Sequence, residues 1–195
     1  MKRGFDFYGT DMIQRGESLA RSYCLQHIQF ERKDVVIDCG ANYADLFMYL
    51  RDKIDETNYI AFEPGPIEYK CIKKTLPNSR IYNLALSNIP GEMFFYLSSA
   101  TGDSSLVKPR NYSNTVRVRV TTLDSFVQKN NIRTCKLFKL EAEGWEPEVL
   151  EGAKNFLKRC KYIAIDGGRE RGQTCDLTFH TLNNFLLSYG FVMID

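Results

Sequence analysis

Short apolar runs separated by amphipathic stretches set the rhythm of the chain from residue 34 onward: Val35 to Ile37, Tyr59 to Phe62, Ile81 to Leu84, Leu137 to Leu140 and Tyr162 to Ile165. Unbroken apolar runs of this length suit strands buried on both faces, and the intervals have helical length. The pattern therefore predicts βαβ repetition and a mostly parallel sheet with helices on both faces. A different grammar holds around 92–120, where Met93 to Leu97 and the alternation Val116, Arg117, Val118, Arg119, Val120 predict half-exposed antiparallel strands, an insertion or extension of that sheet. The stretch joining them, Ser98 to Asn114, is rich in Ser, Thr, Gly and Asn. It is longer than most structureless loops of compact domains, so a functional or mobile loop is expected there. Ahead of the first run, Leu19, Ala20, Tyr23, Cys24 and Ile28 recur at spacings of three and four, which predicts one apolar face of a flanking helix. Late in the chain, Pro147 at a first-turn position, Glu146 and Glu148 beside it, and Lys154, Lys158 and Arg159 at the far end predict one helix with its charges matched to the dipole.

Length adds a bound: 195 residues favour one domain with trimmings, here an N-terminal helical flank over 1–30 and a single α/β domain over 31–195. The apolar fraction of 44% describes an ordinary globular core, and a net charge of +2 excludes nucleic-acid or anionic-membrane binding argued from composition alone. Six cysteines form no CxxC and only His27 and His180 are available beside them, so no zinc site is expected. The N-terminus MKRGFDFYGTDM lacks an apolar signal core, and the longest nearly apolar stretch, Phe185 to Ile194, is about half a membrane span. These features predict reduced thiols, a cytoplasmic protein and no membrane span. His180 falls in a helical pattern with Leu177, Thr181, Asn184 and Leu187 and reads as structural.

Chemistry concentrates at the ends of three predicted strands. The first run leads into Asp38, Cys39, Gly40, Ala41, Asn42, Tyr43 and Ala44, a strand-to-helix turn whose glycine is expected to let a ligand approach the backbone, with free N–H groups at the helix start. A dinucleotide fingerprint needs GxGxxG and only Gly40 is present, which disfavours a nicotinamide-dependent oxidoreductase. The second run ends in Ala61, Phe62, Glu63, Pro64, Gly65, where a strand-end carboxylate can accept both hydroxyl hydrogens of a ribose or else cap a helix. The fourth ends in Lys139, Leu140, Glu141, Ala142, Glu143, Gly144, Trp145. In an open α/β sheet ligands bind outside the carboxyl ends of the strands, so Asp38, Glu63 and Glu141 are expected to converge on one crevice.

The set DxGAN, AFEPGP, TLDSF and KLEAEGWEPEVLEGA resembles the FkbM family of S-adenosylmethionine-dependent methyltransferases over about residues 31 to 170. The resemblance implies a Rossmann-like class I methyltransferase fold, S-adenosylmethionine as cofactor, and methyl transfer to a hydroxyl of a sugar, glycoconjugate or related natural product. It implies that Asp38, Cys39, Gly40, Ala41, Asn42 and Tyr43 face the methionine and ribose end of the donor, together with Glu141. Glu63 and Pro64 would lie at the ribose hydroxyls, and Asn83, Leu84, Ala85 and Leu86 near the adenine. Glu141, Glu143 and Asp166 are the strand-end carboxylates available as a general base; shaping the pocket and capping the following helix are the other roles open to the two glutamates. No spacing selects a metal ion. Gly102, Asp103, Ser104 and Ser105 resemble the family's GxSSL stretch and read as a substrate lid or a mobile connector, with Lys108 and Arg110 available for acidic groups. Tyr112 and Trp145 are candidates to stack on a sugar face, and Trp145 equally a core anchor.

Three departures from the family pattern are Ala44 in place of a second glycine, Glu141 in place of an aspartate, and Asp166 followed by two glycines where a glutamate is more usual. They keep open a second reading, a binding module that retains the fold without turnover. Ala44 either narrows the pocket or packs the helix on the strand. Phe191 to Asp195 reads as a sixth strand, with no sequence left for the fold's seventh. The acceptor's identity and the oligomeric state are not encoded in any motif.

Overall fold

The computed structural model describes residues 11–98 and 103–194; Gly102, residues 1–10 of the flank and Asp195 lie outside them. Five parallel strands form the main sheet in the order β3-β2-β1-β7-β8: β1 (Val36–Cys39), β2 (Tyr59–Phe62), β3 (Arg80–Tyr82), β7 (Cys135–Leu140) and β8 (Cys160–Ile165). The expected two-faced burial is realised with period two. Ile37, Cys39, Ile60, Phe62, Phe138 and Leu140 pack on one face, against α4 (Leu123–Lys129), α5 (Glu146–Glu151), α6 (Lys154–Leu157) and α7 (Phe179–Ser188). Val36, Tyr59, Ala61 and Leu137 pack on the other, against α1 (Met12–Ser22), α2 (Asp45–Leu50) and α3 (Pro66–Thr75). A second sheet, β4-β6-β5, is built from β4 (Ala85–Leu86), β5 (Gly91–Leu97) and β6 (Asn114–Thr121). Its β5–β6 pair is antiparallel, as the alternating sequence predicts, and its inner face holds Phe95, Val118 and Val120.

Four boundaries differ from the sequence reading, each for a local reason. The run Ile81 to Leu84 is split: Asn83 donates its amide to the carbonyls of Glu63 and Pro64 at 2.9 and 3.0 Å, ending β3, and Ala85–Leu86 pairs instead with β6. The helix expected across 147–159 is two helices, because the Asp124 carboxylate accepts the N–H groups of Asn155 and Phe156 and starts α6 afresh. The flanking helix is capped by Asp11 and stops at Tyr23, where Cys24 adopts a left-handed conformation (φ 53°) and sends Leu25 and Ile28 into the core through a 3₁₀ turn. The stretch 191–194 is not a strand. Gly190 (φ 84°) closes α7 with Gly190 N–H on the Leu187 carbonyl and Phe191 N–H on that of Leu186, a Schellman ending that turns Phe191 back onto the helix. Val192, Met193 and Ile194 are exposed beyond it, and β8 is the sheet edge among the described residues. No helix among the described residues is long and apolar enough to cross a membrane.

Candidate functional site

The carboxyl ends of β1, β2 and β7 open into one cavity of about 290 Å³, near the lower end of small-ligand pockets. Asp38, Glu63 and Glu141 all line it, so the convergence expected from three sequence blocks is what the topology produces. Cys39, Gly40, Ala41, Asn42, Tyr43, Pro64, Ala85, Leu86, Ser104, Glu143 and Trp145 line it as well. Several named candidates do not, Tyr112 among them. Asn83 is spent on the Glu63–Pro64 backbone. Ser105 is buried, with its hydroxyl donating to the Glu143 carbonyl at 2.7 Å. Asp166 sits behind the wall, held by the N–H groups of Gly167 and Gly168. Lys108 faces the Tyr112 ring and Arg110 donates to the Gln173 carbonyl; neither lines the cavity.

Gly40 serves a purpose other than the one its motif suggests. A β-carbon there would lie 1.9 Å from the Glu141 carbonyl oxygen, and its φ is 75°. The glycine thus lets the ends of β1 and β7 approach one another, and Glu141 N–H bonds the Cys39 carbonyl at 3.1 Å across the join. Ala44, also left-handed (φ 63°), is fully buried in the α1–α3 core and leaves the cavity untouched, so of its two readings the packing one holds.

Glu63 is held from both sides: Oε1 accepts Gly65 N–H at 2.6 Å and Oε2 accepts Asn42 N–H at 2.7 Å. Each oxygen keeps a lone pair for a further donor. Burial pushes its pKa up to about 8 despite those two N–H groups. On the opposite wall Glu143 is pushed up to about 9 by burial and by the nearby Glu170, Asp103 and Glu141, and Glu170 to about 7 by burial and by Asp166, Glu146 and Glu141. Glu143 and Glu170 hydrogen bond to each other, which requires a proton between them.

Sequence reasoning left a further group of this site's residues unassigned, Asp45 and Glu68 among them. Arg15 and Leu19 arrive from α1, Arg15 reaching Asp45 at 3.4 Å, and Tyr23 hydrogen bonds Glu141. Glu170 follows β8 in a segment with no strand or helix pattern to place it. Lys139 had a readable signal: a lysine between Phe138 and Leu140 at the inner end of a buried strand demands an acidic partner. It is buried with Nζ 3.1 Å from Asp38 and 2.9 Å from Glu141. Burial disfavours its charge, yet these two carboxylates hold its pKa above the usual lysine value, while Glu141, despite burial, is held below the carboxylate range by Lys139. Among the described residues no group of three His, Cys, Asp or Glu is arranged to hold a metal ion.

The raised carboxyls fix the sign of one pH dependence. A carboxyl whose folded pKa exceeds its unfolded value binds more protons folded than unfolded between the two, so stability falls as pH rises through that window. With Glu170, Glu63 and Glu143 raised to about 7, 8 and 9, the unliganded protein is expected to lose thermal stability from pH 6 to pH 8.5. Glu143→Gln is expected to flatten that slope, as scanning calorimetry at several pH values will show; a slope unchanged by the substitution contradicts the assignment.

Comparison with known proteins agrees with the geometry. The Methyltransferase FkbM domain family matches residues 38–193. The chain is 24% identical over 180 residues to the 2-O-methyltransferase NoeI of Sinorhizobium fredii (strain NBRC 101917 / NGR234), a match covering 81% of this chain and 73% of that protein. It is 23% identical over 154 residues to Methyltransferase 1 of Beauveria bassiana (strain ARSEF 2860), covering 66% of this chain and 62% of that one. The crystal structure of methyltransferase FkbM from Methylobacillus flagellatus KT shares the fold with a TM-score of 0.57 at 16% identity, across 84% of this chain and 39% of its own.

Proposed function

The chain belongs to the FkbM methyltransferase family, and from that premise we propose that it transfers a methyl group from S-adenosylmethionine to a hydroxyl of a sugar, glycoconjugate or related natural product. The observation that carries this reading is the make-up of the strand-end cavity. Eight acids line it, Asp38, Asp45, Glu63, Glu68, Asp103, Glu141, Glu143 and Glu170, against two cations, Arg15 and Lys139, beside an apolar slot of Leu84, Ala85, Leu86 and Phe95. A cationic sulfonium fits the acids, a purine fits the slot, and ribose hydroxyls fit the free lone pairs of Glu63. O-methylation is supported by the likeness to the Sinorhizobium relative, a 2-O-methyltransferase.

When bound, the donor supplies an electrophilic methyl on a sulfonium. The chain's part is to place an acceptor oxygen in line with that methyl and to exclude water. Held by Asp38, Glu63 and Glu141, the donor would supply a methyl whose C–S bond is exchanged for a C–O bond to the acceptor with a thioether as leaving group, and the acceptor's hydroxyl proton would pass to a carboxylate of this chain. In our reading the Glu143–Glu170 pair receives it, being poised nearer neutrality than Glu141, whose lysine partner makes it a weak base. Glu141 then shapes the pocket, and Ser104 and Trp145 border the acceptor.

The test is methyl transfer from isotopically labelled S-adenosylmethionine to a panel of mono- and oligosaccharides, with Glu143→Gln in parallel. Turnover is expected to fall by about a hundredfold in the variant, within the usual span of acid–base contributions, with cofactor affinity nearly kept. An unaltered rate removes Glu143 from the mechanism. Cofactor binding by the native chain with no product from any acceptor would move the non-catalytic module ahead.

A further inference from the structure

Lys139 is a buried cation between Phe138 and Leu140, both fully buried in the core, a place where an apolar residue costs less. Its ammonium donates to the Gly40 carbonyl at 2.8 Å and the Cys39 carbonyl at 3.4 Å, hydrogen bonds Glu141 with Oε2 at 2.9 Å, and lies 3.1 Å from Asp38 Oδ1 as an ion pair. Every one of those residues lines the cavity. Asp38 is held on its other oxygen by the Tyr59 hydroxyl, and Glu141 by that of Tyr23. A single charge thus ties the end of β1, the glycine turn after it and the end of β7 into one rigid wall.

We propose that Lys139 is the positioning residue of the donor pocket: its ammonium fixes the Gly40 turn and the Glu141 carboxylate in the arrangement that receives S-adenosylmethionine. The inference rests on the reading of this cavity as the donor site. It assigns Lys139 no contact with the reacting atoms; the residue acts through Gly40, Asp38 and Glu141. The charged and titratable groups around Glu141 are Lys139 on β7, Asp38 at the end of β1, Arg15 and Tyr23 from α1, Glu143 beyond β7, and Asp166 and Glu170 beyond β8. Among the described residues Lys139 and Arg15 are the cations that oppose a proton on Glu141, Lys139 the more strongly, and Arg15 also pairs with Asp45. Removing Lys139 therefore leaves Glu141 to take up a proton at a pH where the native residue is ionised.

S-adenosylhomocysteine titrated calorimetrically into the native chain, Lys139→Met, Glu141→Gln and the double variant Lys139→Met/Glu141→Gln, at pH 5.5 to 8.5, tests this, with the melting midpoint recorded for each. Lys139→Met is expected to bind about tenfold or more weakly, the scale of a charged hydrogen bond. Its affinity should also acquire a step between pH 5.5 and 7.5 that the Lys139→Met/Glu141→Gln double variant lacks, in addition to the Glu170 step near 7 and the Glu63 step near 8 common to all four proteins. The double variant, which leaves the buried Asp38 unopposed, is expected to melt below Glu141→Gln while remaining folded at the titration temperature, and to bind about tenfold more weakly than it, because the Gly40 carbonyl has lost its donor. Binding by the double variant equal to that of Glu141→Gln, or no new pH step in Lys139→Met, overturns the positioning role alone. Absence of binding by the native chain overturns the donor-pocket reading and this inference with it.

Discussion

Gly40→Ala is expected to destabilise the chain by about 3 kcal/mol or more, lowering the melting midpoint by roughly 6–12 °C for a domain of this size. Two costs combine. The new β-carbon would lie 1.9 Å from the Glu141 carbonyl oxygen, a backbone atom that moves only if β1 and β7 part at their ends. The residue must also keep a φ of 75°, a left-handed conformation that costs a residue with a side chain about 1–2 kcal/mol. Since Glu141 N–H bonds the Cys39 carbonyl at that same join, the variant should lose S-adenosylhomocysteine affinity together with stability. Thermal unfolding of the two proteins side by side decides it: a midpoint unchanged to within a degree would mean that the strand ends tolerate separation and that Gly40 was misread.

The second large effect is expected at Glu63. Glu63→Ala removes the acceptor proposed for the ribose hydroxyls and should weaken S-adenosylhomocysteine binding by about 1.5–3 kcal/mol, or roughly 10- to 150-fold. The same change frees the Asn42 and Gly65 N–H groups that the carboxylate now holds, so part of the loss reports a loosened turn. Glu63→Gln separates the contributions. An amide keeps one carbonyl acceptor but loses the second, and burial no longer opposes a charge there. Its NH2 group faces one of the two backbone N–H groups and leaves it without an acceptor, so the glutamine variant should be less stable than the native chain, more stable than Glu63→Ala, and still bind weakly. Tight binding by both variants would remove Glu63 from the ribose role.

What the sequence disclosed and what it withheld divide along physical lines. The main sheet was legible because two-faced burial forces continuous apolar runs, and Tyr59–Phe62 falls on its predicted bounds. The strand-end acids were legible because parallel topology carries every such residue to one edge. Boundaries made by side chains from elsewhere were not: the Asn83 amide that ends β3 and the Asp124 carboxylate that restarts the helix at α6 act across 20 and 31 residues of sequence. The reason for Gly40 was hidden likewise, since the atom that excludes a side chain belongs to Glu141, about a hundred residues on. Glu170 and the α1 contribution of Arg15 and Tyr23 carry no local pattern. Lys139 did carry one, a charge between the apolar Phe138 and Leu140, and its partners were the acids already singled out.

The central claim is that the strand-end cavity holds S-adenosylmethionine, and thermal unfolding with S-adenosylmethionine, S-adenosylhomocysteine and NAD in separate titrations tests it most directly. A ligand that binds only the native state adds about 2.7 kcal/mol at a hundredfold excess over its dissociation constant. For this chain length that predicts a rise of several degrees with both adenosyl compounds and none with NAD. No rise at millimolar adenosyl ligand, or an equal rise with NAD, would contradict the account.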